Sequence, residues 1–115
     1  MTRLIMLFMA VSISGQAQGA QAWLTGAVTR NLVDNAYFGG CMVAVNPSPR
    51  TILPGCEDGW VSFSCSGDFN SKSEGNLKFQ NAQLAMVTGK QVALLVDDSK
   101  KHNGYCWARR IDVIN

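Results

Sequence analysis

Residues 60–115 read as one unit: a strand, a helix, a strand, a tight turn and a last strand. Residues 60–66 alternate. Val61, Phe63 and Cys65 share one face, while Trp60, Ser62, Ser64 and Ser66 share the other. The apolar set belongs in a core, which leaves the serines outside and Trp60 at the rim. Phe79, Ala82 and Met86 follow at i, i+3 and i+7 and predict a helix over about 73–88, stopped by Gly89. Its start has an imperfect cap, because Ser73 is followed three residues on by Asn76. Leu77 and Leu84 fall nearer the opposite face, so the helix is expected to be covered on two sides, by its own barrel and by a neighbouring subunit. Residues 91–97 read as a strand apolar on both faces, and Asn103-Gly104 is a strong type I′ hairpin signal. In residues 105–114, strict alternation puts Tyr105, Trp107, Arg109, Ile111 and Val113 on one face. Cys106, Ala108, Arg110, Asp112 and Ile114 take the other.

The chain opens with Arg3, an apolar run over residues 4–13 and a small-residue zone ending at Ala20-Gln21-Ala22. That order is the signature of a secretory signal peptide, and the run is too short to span a bilayer. Cleavage after Gly19 or after Ala22 fits; the second is favoured, giving a leader of residues 1–22 and one domain over residues 23–115. The expected location is outside the cytoplasm, periplasmic or secreted. The leader carries Arg3 and no acid, so nine basic residues of the ten remain against eight acidic ones. Near-neutrality excludes the clustered basic face that duplex nucleic acid needs, and gives no polybasic membrane signal.

An even number of cysteines in a short exported chain implies disulfides. Cys41, Cys56, Cys65 and Cys106 contain no Cys-x-x-Cys pair, and His102 is the single histidine, so no zinc site is implied. Upstream, residues 23–33 form a first strand in which Gly26 suggests a bulge or sharp coiling. Asp34-Asn35 begins a turn, and residues 41–45 form a short second strand with both faces covered. All three prolines fall in a constrained loop over residues 46–54.

Three strands, a helix and two strands give a fold that is mainly β with one helix. The layout is that of a small five-stranded OB-like Greek-key barrel, disulfide-bonded; a generic α+β sandwich is the competing arrangement. Four cysteines allow three pairings. In the barrel layout the third and fifth strands lie near each other, which favours Cys65–Cys106 together with Cys41–Cys56 closing the proline loop.

Residues 81–92, Asn-Ala-Gln-Leu-Ala-Met-Val-Thr-Gly-Lys-Gln-Val, resemble the helix-to-strand passage of small secreted toxin B subunits, the binding subunits of the subtilase cytotoxin and typhoid toxin group. Trp23-Leu24-Thr25-Gly26 is similar to the Trp-Thr-Gly near the start of their mature chains. The resemblance covers about a third of the chain. It implies a disulfide-bonded OB barrel, a pentameric ring and cell-surface glycan binding. The cysteine placement departs from theirs toward the C-terminus, and their sugar-contacting positions have no match here. A non-toxin family of small exported proteins sharing the barrel is the alternative.

No catalytic constellation stands out. His102 reads as a solvated turn residue. Asp97 and Asp98 are adjacent at a strand end and point apart; Asp112 suits a structural ion pair. Ser62, Ser64 and Ser66 lack a Gly-x-Ser-x-Gly elbow or a positioned histidine. Trp60, Tyr105, Trp107 and Arg109 are the candidate ligand contacts, since aromatics beside arginines stack on sugar rings or on bases, and export argues against bases. The expected function is therefore a non-enzymatic binding module for a carbohydrate or a protein partner, with no cofactor. The rivals are an assembly subunit packing Leu77 and Leu84 in a homo-oligomer and, ranked below it, an enzyme whose site the sequence does not reveal.

Overall fold

A computed structural model describes residues 19–34 and 37–115. It contains β1 (Gln21–Asp34), β2 (Gly40–Asn46), a 3-10 turn (Pro49–Thr51), β3 (Trp60–Ser62), α1 (Lys72–Thr88), β4 (Gln91–His102) and β5 (Tyr105–Ile114). The five strands close into a ring in the order β1-β2-β3-β5-β4, with β4 returning to β1. All pairings are antiparallel except the single rung between β3 and β5, Ser62 to Trp107.

β1 closes the ring because it serves two neighbours. Gln21 to Gly26 pair with β4, and Ala27 to Asp34 pair with β2. Gly26 is the pivot: a Cβ there would collide with the Asn46 carbonyl oxygen, so glycine permits the close approach. The bulge itself falls at Thr29, where the register to β2 slips by one residue. Of the expected leader, residues 1–18 lie outside the described residues. Gln21 and Ala22, assigned to it from sequence, form rungs of β1 opposite Asp97 and Val96. Asn35 of the expected first turn also lies outside the described residues.

The core fills the ring with Leu24, Val28, Val43, Val45, Val61, Phe63, Val92, Leu94, Val96 and Ala108, and α1 lays Phe79, Ala82 and Ala85 against it. α1 is capped by Ser71, two residues earlier than Ser73 suggested. Ser71 Oγ accepts from the Glu74 amide at 3.0 Å, and Glu74 Oε1 lies 3.0 Å from the same hydroxyl. The Ser-x-x-Glu spacing was present in the sequence at Ser71 to Glu74. Gly89 ends the helix in the left-handed conformation at φ 70°, as the C-cap reading expected.

The third strand is shorter than alternation implied. It ends at Ser62, and Ser64 turns the chain with φ 55°. Ser62 and Ser64 are buried, against the expectation that the serines face outward. Each has a local partner instead of water: Ser62 Oγ donates to the Phe38 carbonyl, and Ser64 Oγ accepts from the Phe69 amide. The turn brings Cys65 back beside β2, where the Ser66 amide donates to the Gly39 carbonyl. Cys65 therefore bonds Cys41, and the favoured pairing is corrected: the disulfides are Cys41–Cys65 and Cys56–Cys106. The second follows from the Glu57 amide donating to the Gly104 carbonyl at 2.9 Å, which draws the proline loop to the β4–β5 hairpin rather than to β2.

β5 does not alternate throughout. Leu95 pairs with Arg110 but Val96 pairs with Ala108, so Arg109 is an extra residue. The bulge reverses the phase and puts Ile111 and Val113 on the core side with Cys106 and Ala108. Arg109 and Arg110 are consequently both exposed. β4 also runs past its expected end at Asp97 to His102, with residues 98–100 bulging out between the Trp107 and Cys106 rungs. Asn103 and Gly104 then make the turn with φ 54° and 88°, as Asn-Gly predicts.

Candidate functional site

The outer face of β2, β3 and β5 is covered by the chain's own loops. Met42, Ser62 and Trp107 form one row across these strands, and all three are buried. Trp107 is 7% exposed. Its indole Nε1 donates to Asn70 Oδ1 at 2.7 Å, and the Phe69 ring meets it edge-on at 6.1 Å. Lys78 Nζ reaches the same Asn70 oxygen at 2.8 Å and lies 4.8 Å from the Trp107 ring centre. Tyr105 packs edge-on against Phe38 at 5.7 Å. Trp107 and Tyr105 thus anchor a satellite cluster outside the main core.

His102 belongs to that cluster and is not the solvated turn residue expected. Its ring lies 4.4 Å from Phe69, and Nε2 sits 3.3 Å from Ser64 Oγ and 3.7 Å from Asp68 Oδ2. Burial pushes its pKa below the ordinary histidine value, while the Asp68 charge pulls the other way. Ser64, His102 and Asp68 do not form a proton relay. A relay uses the two ring nitrogens for two different partners, whereas here one nitrogen faces both, and the Ser64 hydroxyl is buried. Two adjacent acids divide as the sequence suggested. The Asp97 carboxyl, despite burial that would raise it, is held below the usual range by hydrogen bonds from Ser99 and Gln21. Asp98 takes the Ala20 amide. Among the described residues no cluster of histidine, cysteine and carboxylate side chains could hold a metal ion.

The four candidate contact residues do not converge on one open site. Trp107 and Tyr105 are in the satellite cluster. Trp60 is half-buried on the outer face of β3, two residues before Ser62, with the Arg30 guanidinium 5.7 Å from its ring centre. Arg30, Ala44 and Trp60 form one row across β1, β2 and β3. Arg109 lies elsewhere, on a groove of about 550 Å³ between α1 and the β4–β5 ribbon. Leu77, Lys78 and Asn81 form its helical wall, and Leu95, Arg109, Arg110 and Ile111 its sheet wall.

The groove combines apolar surface with positive charge. Leu77 is 57% exposed, and Leu84, two helical turns further, is 52% exposed. Trp23 is 47% exposed, lies in register with Leu95 and Arg110, and has the Arg110 guanidinium 5.4 Å from its ring centre. Arg110 is already engaged by Asp112 through two bonds of 2.8 and 3.2 Å. Burial, and more weakly Arg109, push the Lys78 pKa below the ordinary lysine value against the opposing charge of Glu74. Arg109 has no carboxylate partner among the described residues; its Nη1 meets only the neutral Gln21 Oε1 at 3.4 Å. Sequence reasoning found Arg109 but missed the groove, because the bulge that exposes both arginines has no glycine or proline to announce it. A smaller hollow of about 460 Å³ lies beside the Cys41–Cys65 bridge, bordered by Val33, Lys72 and Phe79.

The two disulfides fit an oxidising, exported environment. Among the described residues no helix is long and apolar enough to cross a membrane. Comparison with protein-family models, with characterised proteins and with solved structures finds no match to this chain.

Proposed function

We propose that this protein is an exported, non-enzymatic binding module built on an OB-like Greek-key barrel, and that it grips a protein partner in the groove between α1 and β4–β5. The observation that carries the reading is Arg109, exposed and without a carboxylate partner among the described residues, beside the uncovered side chain of Leu77. Such a pair suits an acidic residue flanked by an apolar one on the partner. A glycan is the weaker choice. Sugar rings stack on open indole faces, and here each tryptophan already has a cation of its own chain beside its ring. A photo-crosslinking amino acid in place of Leu77, installed in the producing cell, tests this. A heterologous adduct that disappears in Arg109→Glu is the expected result. Specific retention on a glycan array, lost in Trp60→Ala, would overturn it.

A second reading has its own support. Leu77 and Leu84 are left uncovered by the described residues, as an assembly subunit requires. Light scattering on the oxidised protein separates the two. A closed ring of about five copies would favour assembly and the toxin-subunit resemblance, whereas a monomer favours the heterologous partner.

A further inference from the structure

Ala20 is tied to β4 at both of its backbone groups. Its nitrogen donates to Asp98 Oδ1 at 2.7 Å, and its carbonyl accepts from the Asp98 amide at 3.0 Å. The next residue continues the seam: Gln21 pairs with Asp97 in register, its Nε2 donates to Asp97 Oδ2 at 3.0 Å, and its Oε1 receives Arg109. Ala22 then packs against the core. A chain starting at Trp23 would lose all of these contacts, taking Gln21 from Asp97 and Ala20 from Asp98. One residue earlier the situation reverses. Gly19 has no pairing to β4, and a Cβ there would collide with Ser99. In sequence, Ala17-Gln18-Gly19 places small residues at the first and third positions before Ala20, six residues beyond the apolar run that ends at Ile13.

We infer that the leader is removed between Gly19 and Ala20, and that the α-ammonium group this creates on Ala20 forms an ion pair with the Asp98 carboxylate that fastens β1 to β4. The cut is a hydrolysis by the leader-removing protease of the export machinery. The bond from the Gly19 carbonyl carbon to the Ala20 nitrogen breaks, water supplies the hydroxyl that leaves Gly19 as a carboxylate, and the Ala20 nitrogen departs as an amine and takes up a proton. An amide donor at 2.7 Å from Asp98 thereby becomes a cationic one, which strengthens the contact already present.

This inference rests on the exported location in the proposed function, and one experiment distinguishes their failures. The full chain is expressed in an exporting host, and the exported protein is analysed by intact mass and N-terminal sequencing. A start at Ala20 is expected. A start at Trp23 or Gln18 overturns the inference while export stands; an uncleaved chain retained in the cytoplasm overturns both. Gly19→Leu is expected to abolish the Ala20 species, while Ala22→Leu leaves processing at Ala20 unchanged. Loss of processing in Ala22→Leu alone would overturn the assignment, whether or not that variant folds well afterwards. The ion pair has its own readout. The Ala20 α-amine of the exported protein should acylate several-fold more slowly at neutral pH than that of Asp98→Asn, and equal rates would exclude the pair.

Discussion

Two regions of this closed ring of strands bring tryptophan and cation together and use them in opposite ways. At Trp107, the indole is buried, its nitrogen is satisfied by Asn70, and Lys78 is drawn into the same network. Beside the groove Trp23 stays half exposed; on the groove's wall Arg110 is held by Asp112, and Arg109 has only a neutral partner among the described residues. The difference lies in what covers each surface. The loops around Phe38 and Phe69 fold over the β2–β3–β5 face, so its polar groups found partners within the chain. Nothing among the described residues folds over the groove. A buried, saturated cluster adds stability, whereas an open, unsaturated one is available for recognition.

Substitutions break this contrast most directly at the two tryptophans. Trp107→Ala should lower unfolding free energy by about 3–5 kcal/mol, as truncating a buried aromatic does, whereas Trp23→Ala should cost about 1 kcal/mol or less. Denaturant midpoints of the oxidised proteins compare them, and equal losses would erase the distinction. Replacing both Cys41 and Cys65 by alanine should cost about 2–4 kcal/mol. It should also shift Trp107 fluorescence, because that bridge holds the loop carrying Phe69 and Asn70 on β2; unchanged emission would free the cover from the bridge.

Acid sharpens the comparison next. The folded pKa of His102 is depressed below its unfolded value. The unfolded chain therefore binds more protons between the two values, and stability falls as pH drops from about 6.5 toward the folded pKa. Asp97, also depressed, adds its own loss only at lower pH, below the ordinary carboxylate value. Urea midpoints between pH 7.5 and 5 should decline in the native protein and stay flat in His102→Gln. The smallest effects on stability belong to the groove: Leu77→Glu and Arg109→Glu should each change it by no more than about 0.5 kcal/mol. A large loss in either would show the groove to be structural.

Much of the fold was legible because it depends on local pattern. The periods of residues 91–97, the helix face of Phe79, Ala82 and Met86, and the Asn103-Gly104 turn all appear as read. What could not be read depends on interruptions of pattern. Ser64 adopts positive φ without being glycine, which ends β3 early and exchanges the partners of Cys65 and Cys106. Arg109 inserts one residue into β5 and reverses its faces. Of the candidate site, residue types were legible but solvent access was not. Trp107 is covered by Phe69 and Asn70, from a loop whose path is set by the Ser64 turn.

The interlaced bridges also divide the chain into tethered and untethered parts. Cys41–Cys65 and Cys56–Cys106 together enclose residues 41–106, so every strand from β2 to β4 lies within or at the edge of a covalent loop. β1 lies wholly outside, held by hydrogen bonds, side-chain packing and the seam at Ala20. Its detachment would open two sheet edges at once, on β2 and on β4, without breaking a covalent bond. Amide hydrogens of β1 are therefore expected to exchange with solvent through a lower-energy opening than those of β2, and a second molecule's β1 is the strand best shaped to fill the gap.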